Sequence, residues 1–155
     1  MRKGIVIAVA VLLTVIVGLV VYSYVWGGSP QFDDFDSVSE EYEEIAETAL
    51  LYYKNSSPEE ESIIISINET GLTQDGENLQ LSDSQIAAVK IAYDKFDFLR
   101  VYEDAVFFYE DETGYYGLVY SQNPVSALYK AELPQAGREY HRINSSWYEW
   151  GVFGI

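Results

Sequence analysis

The stretch VFFYEDETGYYGLVYS, Val106 to Ser121, decides the fold. Two aromatic runs flank DETG, which suits a type I turn with Asp111 first and Gly114 in the left-handed position glycine tolerates, closing a three-residue hairpin loop with a bulge. In that register Glu110 faces Tyr116, Phe108 faces Leu118 and Val106 faces Tyr120 on one side of the ribbon. On the other side Tyr109 lies against Gly117 and Phe107 against Val119. Both faces are therefore apolar, whereas an antiparallel sheet with one wet face shows polar residues at alternate positions. The expectation is a central hairpin with helices on one face and the C-terminal strands on the other. The rival reading is an exposed platform of Tyr109, Tyr115, Tyr116 and Tyr120, since tyrosine offers a large rigid area with a polar tip at low entropic cost.

Outward from the hairpin toward the C-terminus, strand-like runs cover 100–102, 105–110, 115–121, 127–131, 139–143 and 147–152, separated by turn signals such as Asn123-Pro124, Pro134 to Gly137 and Asn144 to Ser146. Consecutive strands with short links predict an antiparallel meander. Toward the N-terminus, LSDSQI carries a helix start: Ser82 caps, Gln85 closes a capping box, and Leu81 staples onto Ile86. Ile86, Val89, Tyr93 and Phe96 continue it as an apolar stripe, with Lys90, Asp94, Lys95 and Asp97 on the wet side. Before it, SIIISIN (62–68) reads as a strand, Asp75-Gly76 as a turn and 79–81 as a short returning strand. Earlier still, Val38, Tyr42, Ile45, Ala49 and Tyr53 recur every three or four residues, with Glu40, Glu41, Glu43, Glu44 and Glu47 around the other faces. That is an amphipathic helix with its acids near the positive end of its dipole, stopped by Asn55 to Pro58. The soluble part is thus predicted to be one α+β domain, residues 33–155, with two amphipathic helices on an antiparallel meander sheet.

The first residues set the location. Arg2 and Lys3 precede Gly4 to Trp26, an uncharged run of 23 residues. As a helix it measures roughly 35 Å, enough to cross a bilayer. Tyr22, Tyr24 and Trp26 fall at an interfacial belt, and no further basic residue occurs before Lys54. The positive-inside rule then places residues 1–3 in the cytoplasm, 4–26 in membrane lipid, a Gly-Gly-Ser-Pro linker over 27–32, and the domain outside. A cleaved signal peptide is the alternative, but its apolar region is usually shorter and its cleavage site is lined by small residues, where this chain has Tyr24 and Trp26. With no cysteine there is neither a lipid-modified cysteine nor a disulfide, and about 125 residues suffice to bury a core without one.

Charge narrows the partners. The chain has 9 Lys plus Arg against 25 Asp plus Glu, a net charge of −16. Setting Arg2 and Lys3 aside leaves seven basic residues against the same 25 acids, a net −18 on the part outside. Nucleic acid and anionic headgroups are repelled, while a cationic partner is favoured. Asp33 to Glu61 alone holds eleven acids and one lysine.

No motif for metal, nucleophile or phosphate chemistry is present: one histidine, His141, no Gly-x-Ser-x-Gly, no His-Glu-x-x-His and no glycine-rich phosphate loop. If 144–146 turn the chain, Glu149 is expected across the strands near His141 or near Arg142, as a cross-strand charge pair. Asp33, Asp34 and Asp36 lack the spaced ligands of a calcium loop. Asn55, Asn68 and Asn144 sit in glycosylation acceptor patterns. The sequence thus points to a membrane-tethered binding domain without catalytic residues, cofactor or metal, for an envelope protein partner or an immunity-type role. Its candidate contacts are Tyr109, Tyr115, Tyr116, Tyr120, Trp147 and Trp150 as aromatic anchors and Glu40, Glu41 and Glu44 as steering charges. Carbohydrate stacking on Trp147 and Trp150, or hydrolysis by a carboxylate pair, are the alternatives.

Overall fold

The computed structural model describes residues 32, 34–56, 58–110, 116–123 and 138–152. The chain divides into two units, Met1–Asp33 and Asp34–Phe153, and the fold below belongs to the second. Two helices lie on one face of an eight-stranded antiparallel sheet, an α+β domain as the sequence predicts. The expected span, 4–26, the DETG loop and the expected strand 127–131 lie outside the described residues. Among the described residues no helix is long and apolar enough to cross a membrane.

Helix α1, Phe35–Ser56, buries Phe35, Tyr42, Ile45, Ala46, Ala49 and Leu50, one stripe at helical spacing. At its start the carbonyl of Asp34 accepts from both the backbone amide and the hydroxyl of Ser37, and Lys54 sits favourably in the last turn. Helix α2, Asp83–Tyr93, begins with the expected capping box: Ser82 Oγ accepts from the Gln85 amide, and Gln85 Oε1 accepts from the Ser82 amide at 2.8 Å. Its buried residues are Ala88, Val89 and Ala92. Tyr93, expected inside the apolar stripe, is 46 % exposed, and Phe96 reaches the core from beyond the helix end. With Ile86 half-buried and Tyr93, the last residue of the helix, turned away from the core, only Val89 and Phe96 of the expected stripe are fully buried.

Strand β1, Ile63–Asn68, alternates buried and exposed, with Ile63, Ile65 and Ile67 toward the helices. It turns through Glu69-Thr70 into β2, Gly71–Gln74, and Asp75-Gly76 then joins β2 to β3, Glu77–Asn78. Positive φ at both Asp75 (52°) and Gly76 (82°) marks the type I′ turn whose twist suits a tight hairpin. The short strand expected at 79–81 is displaced to Glu77–Asn78, and β2 was not anticipated at all.

Strands β4, Phe98–Val101, β5, Ala105–Tyr109, and β6, Tyr116–Ser121, form the sheet centre. The β5–β6 register is the one read from the opening stretch: Val106 opposite Tyr120, Phe107 opposite Val119, Phe108 opposite Leu118 and Tyr109 opposite Gly117. The C-terminal strands depart from the meander. The sheet order is β3-β2-β1-β4-β5-β6-β8-β7, so β8, Trp147–Val152, pairs with β6, while β7, Arg138–Arg142, lies at the edge. These two strands extend the sheet sideways and do not lie across its second face, as was expected of them. Asn144 shapes the hairpin between them, its Oδ1 accepting from the amides of Ser146 and Trp147. His141 stands opposite Glu149 in this register, as expected.

Two aromatic clusters flank the sheet. On the helix side Tyr42 packs on Phe96, Phe108 and Trp147, and Phe35 meets Trp147 edge-on at 5.3 Å. On the other side Tyr102, Ala105, Phe107, Val119, Tyr148 and Trp150 are buried together, with Tyr109 and Tyr140 partly buried against them.

Candidate functional site

The acids of α1 sort by the geometry of one helix. Asp36, Glu40, Glu43 and Glu47 are spaced four, three and four residues apart, which stacks them on a single face, and all four are exposed. Like charges at such spacing destabilise a helix by about 0.2–0.5 kcal/mol per pair. Among the described residues none of the four meets a cation; the one ion pair there joins Lys95 Nζ to Asp34 at 2.5 Å, below the first turn. That hydrogen bond holds the Asp34 carboxyl below its usual range. Glu43 accepts a long hydrogen bond, 3.4 Å, from the hydroxyl of Tyr120.

The three predicted steering acids are placed differently from one another. Glu40 belongs to the exposed stripe, and Glu41 is half-buried. Glu44 is taken up internally: its carboxylate accepts from Ser84 Oγ at 2.8 Å, while Thr48 one turn on accepts from Gln85 Nε2 at 2.8 Å, so together they clamp α1 to the cap of α2. Asp36 was the stripe member that sequence reasoning left out. The signal was present in its i, i+4 spacing to Glu40, but the helix was expected to begin at Val38.

The aromatic candidates are largely interior. Trp147 and Trp150 are each 1 % exposed and Tyr120 is 4 % exposed. Tyr109 is half-buried, stacked on Phe98 at 4.5 Å and edge-on to Trp150, and Tyr116 is also half-buried. Tyr115 lies outside the described residues. The described rings therefore make no open platform, and neither indole of the C-terminal strand presents a face on which a sugar ring can stack.

Burial leaves a chemical mark on this core. The Tyr42 phenol is pushed up to about 12, first by burial and then by the negative charges of Asp34, Glu41 and Asp94. Tyr120 is raised for the same reasons, with Glu43 and Glu47 as the nearby charges. A raised phenol favours the neutral folded form, so the stability tied to Tyr42 is complete below pH 10, where the unfolded phenol is neutral, and is lost as pH rises through about 12. Denaturant titrations are expected to show this contribution falling by about 1 kcal/mol by pH 11 and by nearly 3 kcal/mol above pH 12. Tyr42→Phe should lose correspondingly less stability between pH 9 and 11; parallel curves for the two proteins would refute the assignment.

Among the described residues no group of three His, Cys, Asp or Glu side chains is placed to hold a metal ion. Of the aspartates considered for calcium, Asp34 is engaged by Lys95, Asp36 points to solvent and Asp33 lies outside the described residues. A separate cavity of about 570 Å³ opens between the segment before β1, the β2–β3 turn and Arg100 of β4. No family model, curated protein or solved structure matches this chain.

Proposed function

We propose that the chain is a membrane-tethered, non-catalytic interaction domain, anchored through residues 4–26 and displayed outside the cytoplasm, whose helix α1 receives a cationic protein partner. The observation that supports this reading is the uncompensated stripe of Asp36, Glu40, Glu43 and Glu47. Four like charges on one face weaken the helix that carries them, and their field attracts a basic surface and speeds its approach. A tether adds to this: holding the domain close to the bilayer raises its local concentration toward neighbouring envelope proteins, so a modest contact suffices. An immunity-type role, capture of a basic toxin at the cell surface, is one form of the same mechanism.

The test is site-specific photocrosslinking from positions 40 and 47 of the full-length protein in its own membrane. One recurrent crosslinked protein is expected, forming less readily as salt is raised. Changing Asp36 to Asn and the three glutamates to Gln should slow its formation about tenfold or more and flatten the salt dependence. An adduct equally abundant in the neutralised variant would remove the acidic stripe from the recognition mechanism.

A further inference from the structure

Arg100 sits on β4 opposite Ile64 of β1 and Phe107 of β5, on the sheet face away from the helices. Its Nε is buried with no hydrogen-bond partner, and the side chain forms no ion pair among the described residues. In a chain with 25 acids this is unusual, because a guanidinium is matched by any carboxylate within reach. Acids are near: Glu59, Glu60 and Asp75 line the same cavity as Arg100, together with Ser62 and Gln74. The cavity thus keeps opposite charges apart across a space of about 570 Å³, within the range of small-molecule sites.

Its walls are held in place by residues that do not line it as charges. Tyr53 of α1 donates to the carbonyls of Glu60 and Glu61, at 3.3 and 3.0 Å, and fixes the segment that carries Glu59 and Glu60. Tyr52 donates to Gln74 Oε1 at 2.5 Å, and Gln74 Nε2 in turn donates to the Asp75 carboxylate at 3.2 Å. Asp75 itself is set by the left-handed backbone of the type I′ turn. Ile64, 50 % exposed, gives the cavity an accessible apolar wall.

We infer that this cavity binds a small zwitterion of the amino-acid class, its carboxylate on Arg100 and its ammonium among Asp75, Glu59 and Glu60. With Nε covered, the Nη1 and Nη2 edge of the guanidinium remains to donate, an arrangement that suits the two oxygens of a carboxylate. Three acids at the rim disfavour phosphate and sulfate, whose second charge they repel, and favour a ligand that brings its own cation. The site stands apart from the acidic stripe of α1 and does not depend on it.

The experiment is a titration of the full-length protein in neutral detergent at constant ionic strength, followed by the amide resonances of Ser62, Gln74 and Arg100. The probes are L-lysine, cadaverine, which lacks the carboxylate, and acetate, which lacks the ammonium. Saturable shifts are expected with lysine, and binding at least tenfold weaker with either fragment. Arg100→Gln should weaken lysine tenfold or more. Asp75→Asn, which keeps a side chain suited to the left-handed turn, should weaken lysine several-fold and leave acetate unchanged. Cadaverine binding as tightly as lysine, indifference of lysine binding to both substitutions, or no saturable shift at all would each overturn the proposal.

Discussion

Gly117→Ala is expected to cost about 3 kcal/mol or more, lowering the melting temperature by roughly 10–20 °C. Gly117 lies in β6 between Tyr109 of β5 and Trp150 of β8, in the centre of the sheet. A Cβ at this position would fall 1.9 Å from the carbonyl oxygen of Phe108 and 2.7 Å from the indole nitrogen of Trp150. A clash with the far end of a flexible side chain is relieved by a rotamer change, but a clash with a neighbouring strand's backbone moves the strand itself. The second member of a double-mutant cycle separates the two causes. If the carbonyl dominates, shrinking Trp150 to Leu beside Gly117→Ala recovers little of the loss; a recovery of most of it would assign the effect to the indole. Melting of an alanine variant within a few degrees of the parent would show that the strand can move aside and that the close approach of β5 to β6 at this position is readily relaxed.

The same neighbourhood shows how far the sequence could be read. The hairpin register followed from the loop alone: the DETG turn signal fixes which residues stand opposite one another, whereas a ribbon apolar on both faces has no polar alternation to set it. The capping box of Ser82 and Gln85 and the turn at Asn144 were legible for a similar reason: each is a short-range pattern with its own hydrogen bonds. The order of the last two strands was not read correctly, although a signal existed. REYHR is charged along its length, as edge strands are, while WYEWGV needs neighbours on both sides to cover its rings. Chain order favoured the meander, and burial overrode it. Strand β2, GLTQ, has little apolar content and is held by pairing with β1, so propensity alone missed it. Whether Trp147 and Trp150 were anchors or core was undecidable from composition, since the side chains an interface favours are those a core favours. The acidic stripe was half-legible: helical spacing groups its members, but that Glu44 is used against Ser84 depends on how α2 packs.

Trp147→Ala is expected to cost 3–5 kcal/mol, enough to leave a domain of this size marginally folded at room temperature. The indole is where the sheet and α1 meet. Its ring lies 5.3 Å from Phe35, 6.5 Å from Tyr42, 5.6 Å from Phe108 and 5.1 Å from Tyr120, so truncation opens a void among four aromatic rings at once. Two of those rings belong to α1, the helix that carries Asp36, Glu40, Glu43 and Glu47 on its outer face. The void therefore acts on the proposed recognition surface from below: amide exchange in residues 35–47 should quicken more than in β1 or β2. Trp147→Phe is expected to be much milder, within about 2 kcal/mol, because Nε1 of Trp147 is buried without a hydrogen-bond acceptor and its removal relieves a desolvation cost of about 1–3 kcal/mol while most of the ring contact survives. Urea titrations monitored by far-ultraviolet circular dichroism separate these cases. Equal losses for the two variants would mean that the indole nitrogen has a stabilising partner. A small loss for alanine would mean that α1 is held by Ile45, Ala46, Ala49 and Leu50 and by its clamp to α2, and that its acidic face does not depend on the aromatic core beneath it.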